Sequence, residues 1–478
     1  MLPSVAVMLM LLSFTYGENP AIQVILTNKG LQQGVHEATG LIQEKLEKLT
    51  LPDISGRINI LIGHVDYTLT GVTITKCDLP EPTVKFFQEH TGFTVSILGL
   101  SVALTGDWST HFGLIHDGGS FDMAIFNLAL TSAVELGRDA KGHLSVTSIS
   151  CDAQIGDLGV KFYGGASKIF QPFVDYFKGH FIKRIKDRIC PALEENIDML
   201  ESHLQAMNVS FDVDQVLTLD VPLTGSPIVT AASMKLGFKG EFYSIKTHEE
   251  PPFVAHPFIL PEQPDYMLSV GLSEFTLNSA LYGYFSAGEL QVHINESMVP
   301  PKSPVHLNTS SMGMFVPQLP KQFPGLLMDL QVYARQAPTF SLQPGVVKLG
   351  VQAAVNAFAI EPNGTQIPLF ILNVDTQFSG KVWTADEKLK GSVMMDNFTL
   401  TLVSSKVGTV RIDALENTVW AGMKLMILPE VNEKLGNGII LLRTKHAQLI
   451  NSVLKMEKEF IAFFSDAQIL QTEENFNK

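Results

Sequence analysis

The 478-residue chain lacks the local signatures of the common enzyme classes. It has no G-x-S-x-G elbow, no H-E-x-x-H, no G-x-x-x-x-G-K-[ST], and no G-x-G-x-x-G after a strand. Those absences remove the usual hydrolase, zinc-peptidase, P-loop and dinucleotide-binding readings. Gly436-Asn-Gly438 is a lone fragment at a helix end and reads as a C-cap. Charge is also scarce, at 17% of residues, where about 25% is usual. Thirty-four basic against 48 acidic residues leave a net charge of −14, which argues against nucleic acid as the main partner. Beyond residue 17 no stretch reaches about 18 uninterrupted apolar residues, so no transmembrane helix is predicted.

Cysteine is rare: Cys77, Cys151 and Cys190. Cys151 follows a strand-like run and Cys190 sits in a helical one. A bridge between them would pin helix to sheet and close a loop worth about 4 kcal/mol in chain entropy. Cys77 would then be the odd thiol, either buried or open to intermolecular pairing.

Residues 1–17, MLPSVAVMLMLLSFTYG, hold an apolar run from Val5 to Leu12 and end in small or polar residues, which predicts a signal peptide and a secreted protein. Asn-X-Ser/Thr sequons at Asn208, Asn295, Asn308, Asn363 and Asn397 fit that compartment as N-glycosylation positions. A proline cluster at 247–264, THEEPPFVAHPFILPEQP, favours an extended connection. It separates two similar halves, 18–246 and 265–470, with a polar tail at 471–478. In the first half, strand alternation places Leu98, Leu100, Val102, Leu104 and Trp108 on one face, and Phe126, Leu128, Leu130, Val134 and Leu136 repeat it. A helix is predicted from about Ser167 to Met207, interrupted at Pro191. In the second half, strand-like runs at 347–357, 370–378 and 389–402 precede a helix carrying Ile412, Leu415, Val419, Met423, Val431 and Leu435. The fold class is α+β, with each half an antiparallel sheet wrapped against a long helix.

Two stretches are candidates for ligand contact. GDWSTHFGLIHDGGSFD at 106–122 is turn-rich and carries His111, His116, Asp107, Asp117 and Asp122. Two histidines five apart on a glycine-rich turn supply zinc geometry poorly, so a hairpin end is the better reading. The predicted long helix bears Lys178, His180, Lys183, Arg184, Lys186 and Arg188 on its outer side. That is either a solvated face or an anchor for anionic head groups.

Further segments carry a family resemblance: GEFYSIKTHEEPPF at 240–253, LSEFTLNSALYGYFSAGEL at 272–290, MVPPKSPVHLNTSSMGMFVPQLPKQFP at 298–324, LPEVNEKLGNG at 428–438 and FIAFFSDAQIL at 460–470. In combination and order they resemble the lipid-binding plasma proteins comprising bactericidal permeability-increasing protein and lipopolysaccharide-binding protein, with lipid-transfer proteins as more distant relatives. The resemblance implies an elongated, boomerang-shaped molecule: two highly curved antiparallel barrels, each packed with a long helix and joined by a central sheet. It implies a single disulfide at Cys151 and Cys190, and an apolar pocket in each half able to hold phospholipid, with no other cofactor. The implied activity is non-enzymatic binding of lipopolysaccharide through lipid A, of phospholipid and of the bacterial outer membrane, and thereby killing bacteria or passing the lipid to a host receptor. The alternative it carries is phospholipid or neutral-lipid transfer without bactericidal activity. In the family the tip of the first barrel meets lipid A phosphates with lysine and arginine. Here the matching window from Gly106 to Gly118 has neither, keeping Trp108 and Phe112, with His111 and His116 beside them, as the contact residues. Residues 18–246 hold 18 basic and 26 acidic residues, where the bactericidal relatives are basic.

Overall fold

A computed structural model describes residues 19–47, 49–60, 63–301, 303, 305–440 and 447–469. The predicted signal peptide and the polar tail lie outside the described residues. The first domain opens with β1 (Ile22–Thr27) and α1 (Asn28–Leu46). Its main sheet has six antiparallel strands: β2 (Ile54–Ile60), β3 (Gly63–Asp78), β4 (Thr83–Phe87), β5 (Gly92–Phe112), β6 (Ile115–Arg138) and β7 (Leu144–Tyr163). Their order is β2-β3-β5-β6-β7, with β4 paired to β5. Strand pairing does not close this sheet into a barrel among the described residues, because β2 and β7 stay at opposite ends.

A helix does what a further strand would otherwise do. α2 (Ser167–Ala206) is continuous for 40 residues, and Pro191 does not divide it. Its Ile182, Ile185 and Ile189 pack on the sheet's core, and each such side chain contributes about 1.5–3 kcal/mol on burial. The spacing 182, 185, 189 then 193, 197 and 204 keeps one stripe inward. The side chains of Phe170, Val174, Phe177 and Phe181, which the sequence pattern put in the same stripe, lie outside the described residues. Polar side chains of α2 also bond the edge of β7. Phe162 N–H donates to Gln171 Oε1 at 3.1 Å, Gln171 Nε2 donates to Val160 O at 3.0 Å, and Val146 N–H donates to Glu201 Oε2 at 2.6 Å. Cys151 on β7 and Cys190 on α2 form the disulfide, and Cys77 is a buried free thiol.

Two bulges correct the sequence alternation. The β5–β6 register shifts between Ile97 and Val102, with Gly99 at φ +86 and Asn127 at φ +53. An inserted residue reverses which side its neighbours face. Leu98 is therefore 68% exposed and Phe126 44% exposed, while Leu104, Leu128, Val134 and Leu136 are buried.

After α2, the short strands β8 (Ser210–Asp212) and β9 (Leu217–Asp220) pair with β12 (Glu241–Ser244) in a small sheet. β10 (Ile228–Val229) and β11 (Ser233–Phe238) instead join β1 in a sheet that both halves share. Its other members are β13 (Leu268–Ser273), β21 (Ala447–Met456) and β22 (Phe460–Ile469), in the order β10-β11-β1-β13-β22-β21. The proline-rich segment lies on this central sheet. Leu260 is buried with Ile25, Phe460 and Phe464, and the Phe258 ring stacks on Phe460 at 4.7 Å.

The second domain starts with α3 (Glu274–Ser286). Its sheet holds β14 (Gln291–Asn295), β15 (Leu327–Ala334), β16 (Thr339–Gln343), β17 (Val346–Ile360), β18 (Gln366–Ala385), β19 (Lys388–Ser405) and β20 (Ile439–Ile440). The predicted single helix is α4 (Ile412–Gly422), a π turn at Met423–Ile427, and α5 (Leu428–Asn437). These helices bond the edge of β19: Val393 N–H donates to Asn432 Oδ1 at 2.7 Å, Asn432 Nδ2 donates to Val393 O at 2.9 Å, and Leu400 N–H donates to Glu416 Oε2 at 2.7 Å.

Candidate functional site

The 106–122 stretch is the end of the β5–β6 hairpin, and register explains its chemistry. Phe112 pairs with Ile115, leaving Gly113 and Leu114 as a two-residue turn. Gly113 has φ +59, a conformation that glycine adopts without penalty at the first position of a II′ turn. The turn holds Leu114 at the apex, 99% exposed, with Ile115 65% exposed beside it. Together they form an exposed apolar tip on the hairpin.

Behind the apex lies a row of charged and titratable groups on the outer face. Arg57, Asp66, His111 and His116 are direct partners across β2, β3, β5 and β6. Arg57 Nε donates to Asp66 Oδ1 at 2.6 Å, and His64 Nε2 lies 3.8 Å from Asp66 Oδ2. The Nδ1 atoms of His111 and His116 lie 2.9 Å apart, within hydrogen-bond distance. The hydrogen bond from Arg57 holds the Asp66 carboxyl below the usual carboxylate range, outweighing desolvation with help from the charges of Arg57, His64 and His111. The same pairing raises Arg57 above its ordinary value. Asp66 therefore stays ionised and offsets Arg57, so net positive charge in the row depends on the imidazoles.

The candidate contact residues fall into different positions. Trp108 does not reach the surface. It is 4% exposed, packs edge-on against Phe162 with centroids 5.5 Å apart, and donates from Nε1 to Tyr163 O at 3.2 Å. It sits on the inner face because it pairs with Leu69, another core residue, so it supports the tip from within. Phe112 is half-buried with its ring over Gly63, where a Cβ would lie 3.2 Å from it. Asp117 is spoken for as well: its carboxylate accepts from Gly118 N–H at 2.9 Å and from Ala166 N–H at 2.7 Å, at the start of α2. A carboxylate there favours the helix N-terminus. Among the described residues, no group of three or more His, Cys, Asp or Glu is placed to hold a metal ion.

On α2, Lys183, Lys186 and Arg188 are exposed. Lys178 is committed to an ion pair with Asp157 on β7, and its hydrogen bond lowers the Asp157 carboxyl. The side chains of His180 and Arg184 lie outside the described residues. Asn208, Asn295, Asn363 and Asn397 are exposed, whereas Asn308 is half-buried and accepts from Ser311 N–H at 2.8 Å. Sequence reasoning missed Leu114, Ile115, Arg57, His64 and Asp66. The Phe-Gly-Leu-Ile turn was the available signal for the first two; the others come from a separate hairpin and are visible only through register.

Two open antiparallel sheets, each sealed by helices along one edge and joined through a shared sheet, define a two-domain α+β protein with an apolar-tipped hairpin. No helix among the described residues is long and apolar enough to cross a membrane. The chain belongs to the LBP / BPI / CETP family: the family's N-terminal-domain model matches residues 30–207 and its C-terminal-domain model matches 211–469. It is 34% identical to a bactericidal permeability-increasing protein of Sebastes schlegelii over 460 residues, covering 96% of this chain and 97% of that protein. It is 28% identical to the lipopolysaccharide-binding protein of Homo sapiens over 475 residues, covering 98% of each. A crystal structure of lipopolysaccharide binding protein superposes with a TM-score of 0.57 at 25% identity, covering 94% of this chain and 99% of that one.

Proposed function

We propose that this chain is a secreted, non-enzymatic lipid-binding protein of innate immunity that takes up lipopolysaccharide or related bacterial membrane lipid through the tip of its first domain. The observation that carries the reading is the Leu114–Ile115 apex standing over the Arg57–His111–His116 row. Leu114 and Ile115 enter the acyl region, where each contributes about 1.5–3 kcal/mol. Arg57 and the imidazoles meet phosphate oxygens through charge-assisted hydrogen bonds. Acyl chains taken into apolar pockets of the two domains add about 0.8 kcal/mol per CH₂. Lys183, Lys186 and Arg188 give anionic head groups a second contact. The relatives named for lipopolysaccharide binding and bacterial permeabilisation support this reading.

A second reading is phospholipid or neutral-lipid transfer without bactericidal activity. It draws on the net charge of −14 and on the absence of Lys and Arg between Gly106 and Gly118. Titration of immobilised lipopolysaccharide separates them. The wild type should bind saturably, and Leu114→Asp with Ile115→Asp should weaken binding at least about tenfold while leaving the melting temperature unchanged. Rapid phosphatidylcholine exchange between vesicles, with no saturable lipopolysaccharide binding, would decide for the second reading.

A further inference from the structure

In the second domain a cavity of about 400 Å³ opens between the C-terminal end of α3 and the outer face of β14, β15 and β17. Three carboxamides, Gln291, Gln331 and Asn356, line it together with the rings of Phe285 and Tyr333. Register gathers them: Gln331 pairs directly with Asn356, and Gln291 with Tyr333. Both pairs lie on the side of the sheet opposite the core residues Met328, Ala357 and Ala359.

The lining restricts what can bind. No charged side chain lines the cavity among the described residues, so neither an anion nor a cation finds a counter-charge. An acyl chain would bury the carboxamides without partners, which is unfavourable for each polar group. One such group is already waiting. Asn356 Oδ1 is buried with no hydrogen-bond partner, while its Nδ2 makes only a long 3.4 Å contact to Gln331 Oε1. A buried acceptor left in that state is relieved when its side chain turns to a donor, and the groove that Asn356 lines is where one can sit. The volume falls in the range of small-ligand pockets, about 300–1,000 Å³.

We propose that this groove binds an uncharged pyranose saccharide. A carboxamide presents a donor and an acceptor side by side, which matches two adjacent ring hydroxyls. Aromatic walls suit the C–H face of a sugar ring, which is apolar. With its side chain turned toward the groove, Asn356 accepts from one hydroxyl through Oδ1, and Gln291 and Gln331 hold its neighbours. The sugar can be a free glycan or the saccharide part of a bacterial glycolipid, since both offer the same hydroxyls. The site is separate from the lipid-contacting hairpin, and the probes used to test it carry no lipid.

Saturation-transfer NMR on the full chain provides the test, with two sets of probes. One is the methyl glycosides of glucose, galactose and mannose, and the other is lipid-free core oligosaccharide released from lipopolysaccharide by mild acid. At least one set should give saturable transfer. Asn356→Leu should weaken it about tenfold, and Gln291→Ala, at an exposed rim position, about threefold without affecting folding. Binding by the methyl glycosides means that single sugar units suffice, and binding by the oligosaccharide alone assigns the site to lipid-borne bacterial sugar. No transfer from either set, or binding unchanged in both variants, overturns the proposal.

Discussion

The two domains solve one problem in different ways. Each has a long antiparallel sheet whose last edge strand would expose unpaired backbone groups, a hazard for edge-to-edge association. In the first domain an unbroken 40-residue helix covers β7 and is fixed there by a disulfide, Gln171 and Glu201. In the second, two shorter helices joined by a π turn cover β19, held by Asn432 and Glu416. The longest hairpins differ in the same spirit. In the first domain the turn is Gly113–Leu114; in the second it is Asp386–Glu387, both at positive φ, with Asp386 2.8 Å from Lys390. Side-chain clasps on the backbone thus cover an edge in both domains, and the covalent bond is an addition that the first domain has and the second lacks.

Removing the disulfide breaks this comparison most severely. Cys151→Ser with Cys190→Ser should lower the stability of the first domain by up to about 4 kcal/mol, from the 39-residue separation it closes. Calorimetry should show that loss as an early transition separating from the rest. A single cooperative transition at the wild-type temperature would mean that the clasp alone holds α2.

The joint between the domains comes next. Asp466 on β22 accepts from Lys29 Nζ at 2.8 Å and from Met267 N–H at 3.1 Å. Burial pushes its carboxyl up, but Lys29, Asn451 and the Met267 amide outweigh that and hold it below the ordinary value. A depressed carboxylate stabilises above the unfolded value of about 3.9 and loses that contribution as pH falls through its folded value. Asp466→Ala should destabilise the chain by about 1–3 kcal/mol at neutral pH, and the variant should show a flatter stability profile below about pH 4. An unaltered acid limb would remove Asp466 from the account.

The clasps themselves are the sharper comparison. Gln171→Leu and Asn432→Leu each delete two hydrogen bonds to an edge strand, at about 1–2 kcal/mol. Denaturant titration should give similar losses for the two. A much smaller loss for Gln171 would show that the disulfide makes its clasp redundant. The smallest effect concerns the tip. Lowering pH from about 7.5 to 5.5 charges imidazoles as a class, while Asp66 remains ionised. Binding to vesicles containing phosphorylated lipid should rise a few-fold, and His111→Gln with His116→Gln should abolish the rise. Asp386→Leu, at the other hairpin, should leave both unchanged.

Much of this architecture was legible as pattern. The helix predicted from about Ser167 to Met207 is α2 at Ser167–Ala206, and the runs at 347–357, 370–378 and 389–402 lie inside β17, β18 and β19. Strong periodicity over long segments makes such elements readable. Side-chain direction was less legible. Alternation puts Leu98 on one face with Leu104, and Phe126 with Leu128, because it carries no mark where a bulge inserts a residue; Gly99 and Asn127 are its trace. The resemblance makes Trp108 a contact residue, whereas its alternation with Leu104 and its pairing with Leu69 put it inside. The sheets themselves were expected to close, and only pairing order reveals that helices end them.

The shared sheet has a consequence for the chain's birth. Ile22 pairs with Leu272, and Leu272 in turn with Ile461, so the strand that leads the first domain meets its second partner, beyond β11, only after that whole domain has been synthesised. The third strand arrives later still. Contacts this distant in sequence form slowly, because loop closure precedes their reward. The first domain's main sheet and α2, by contrast, lie within residues 54–206 and can pair as they emerge. The order of synthesis thus favours the first domain, and until β22 docks the middle strand β13 presents an open edge of the kind that chaperones cover.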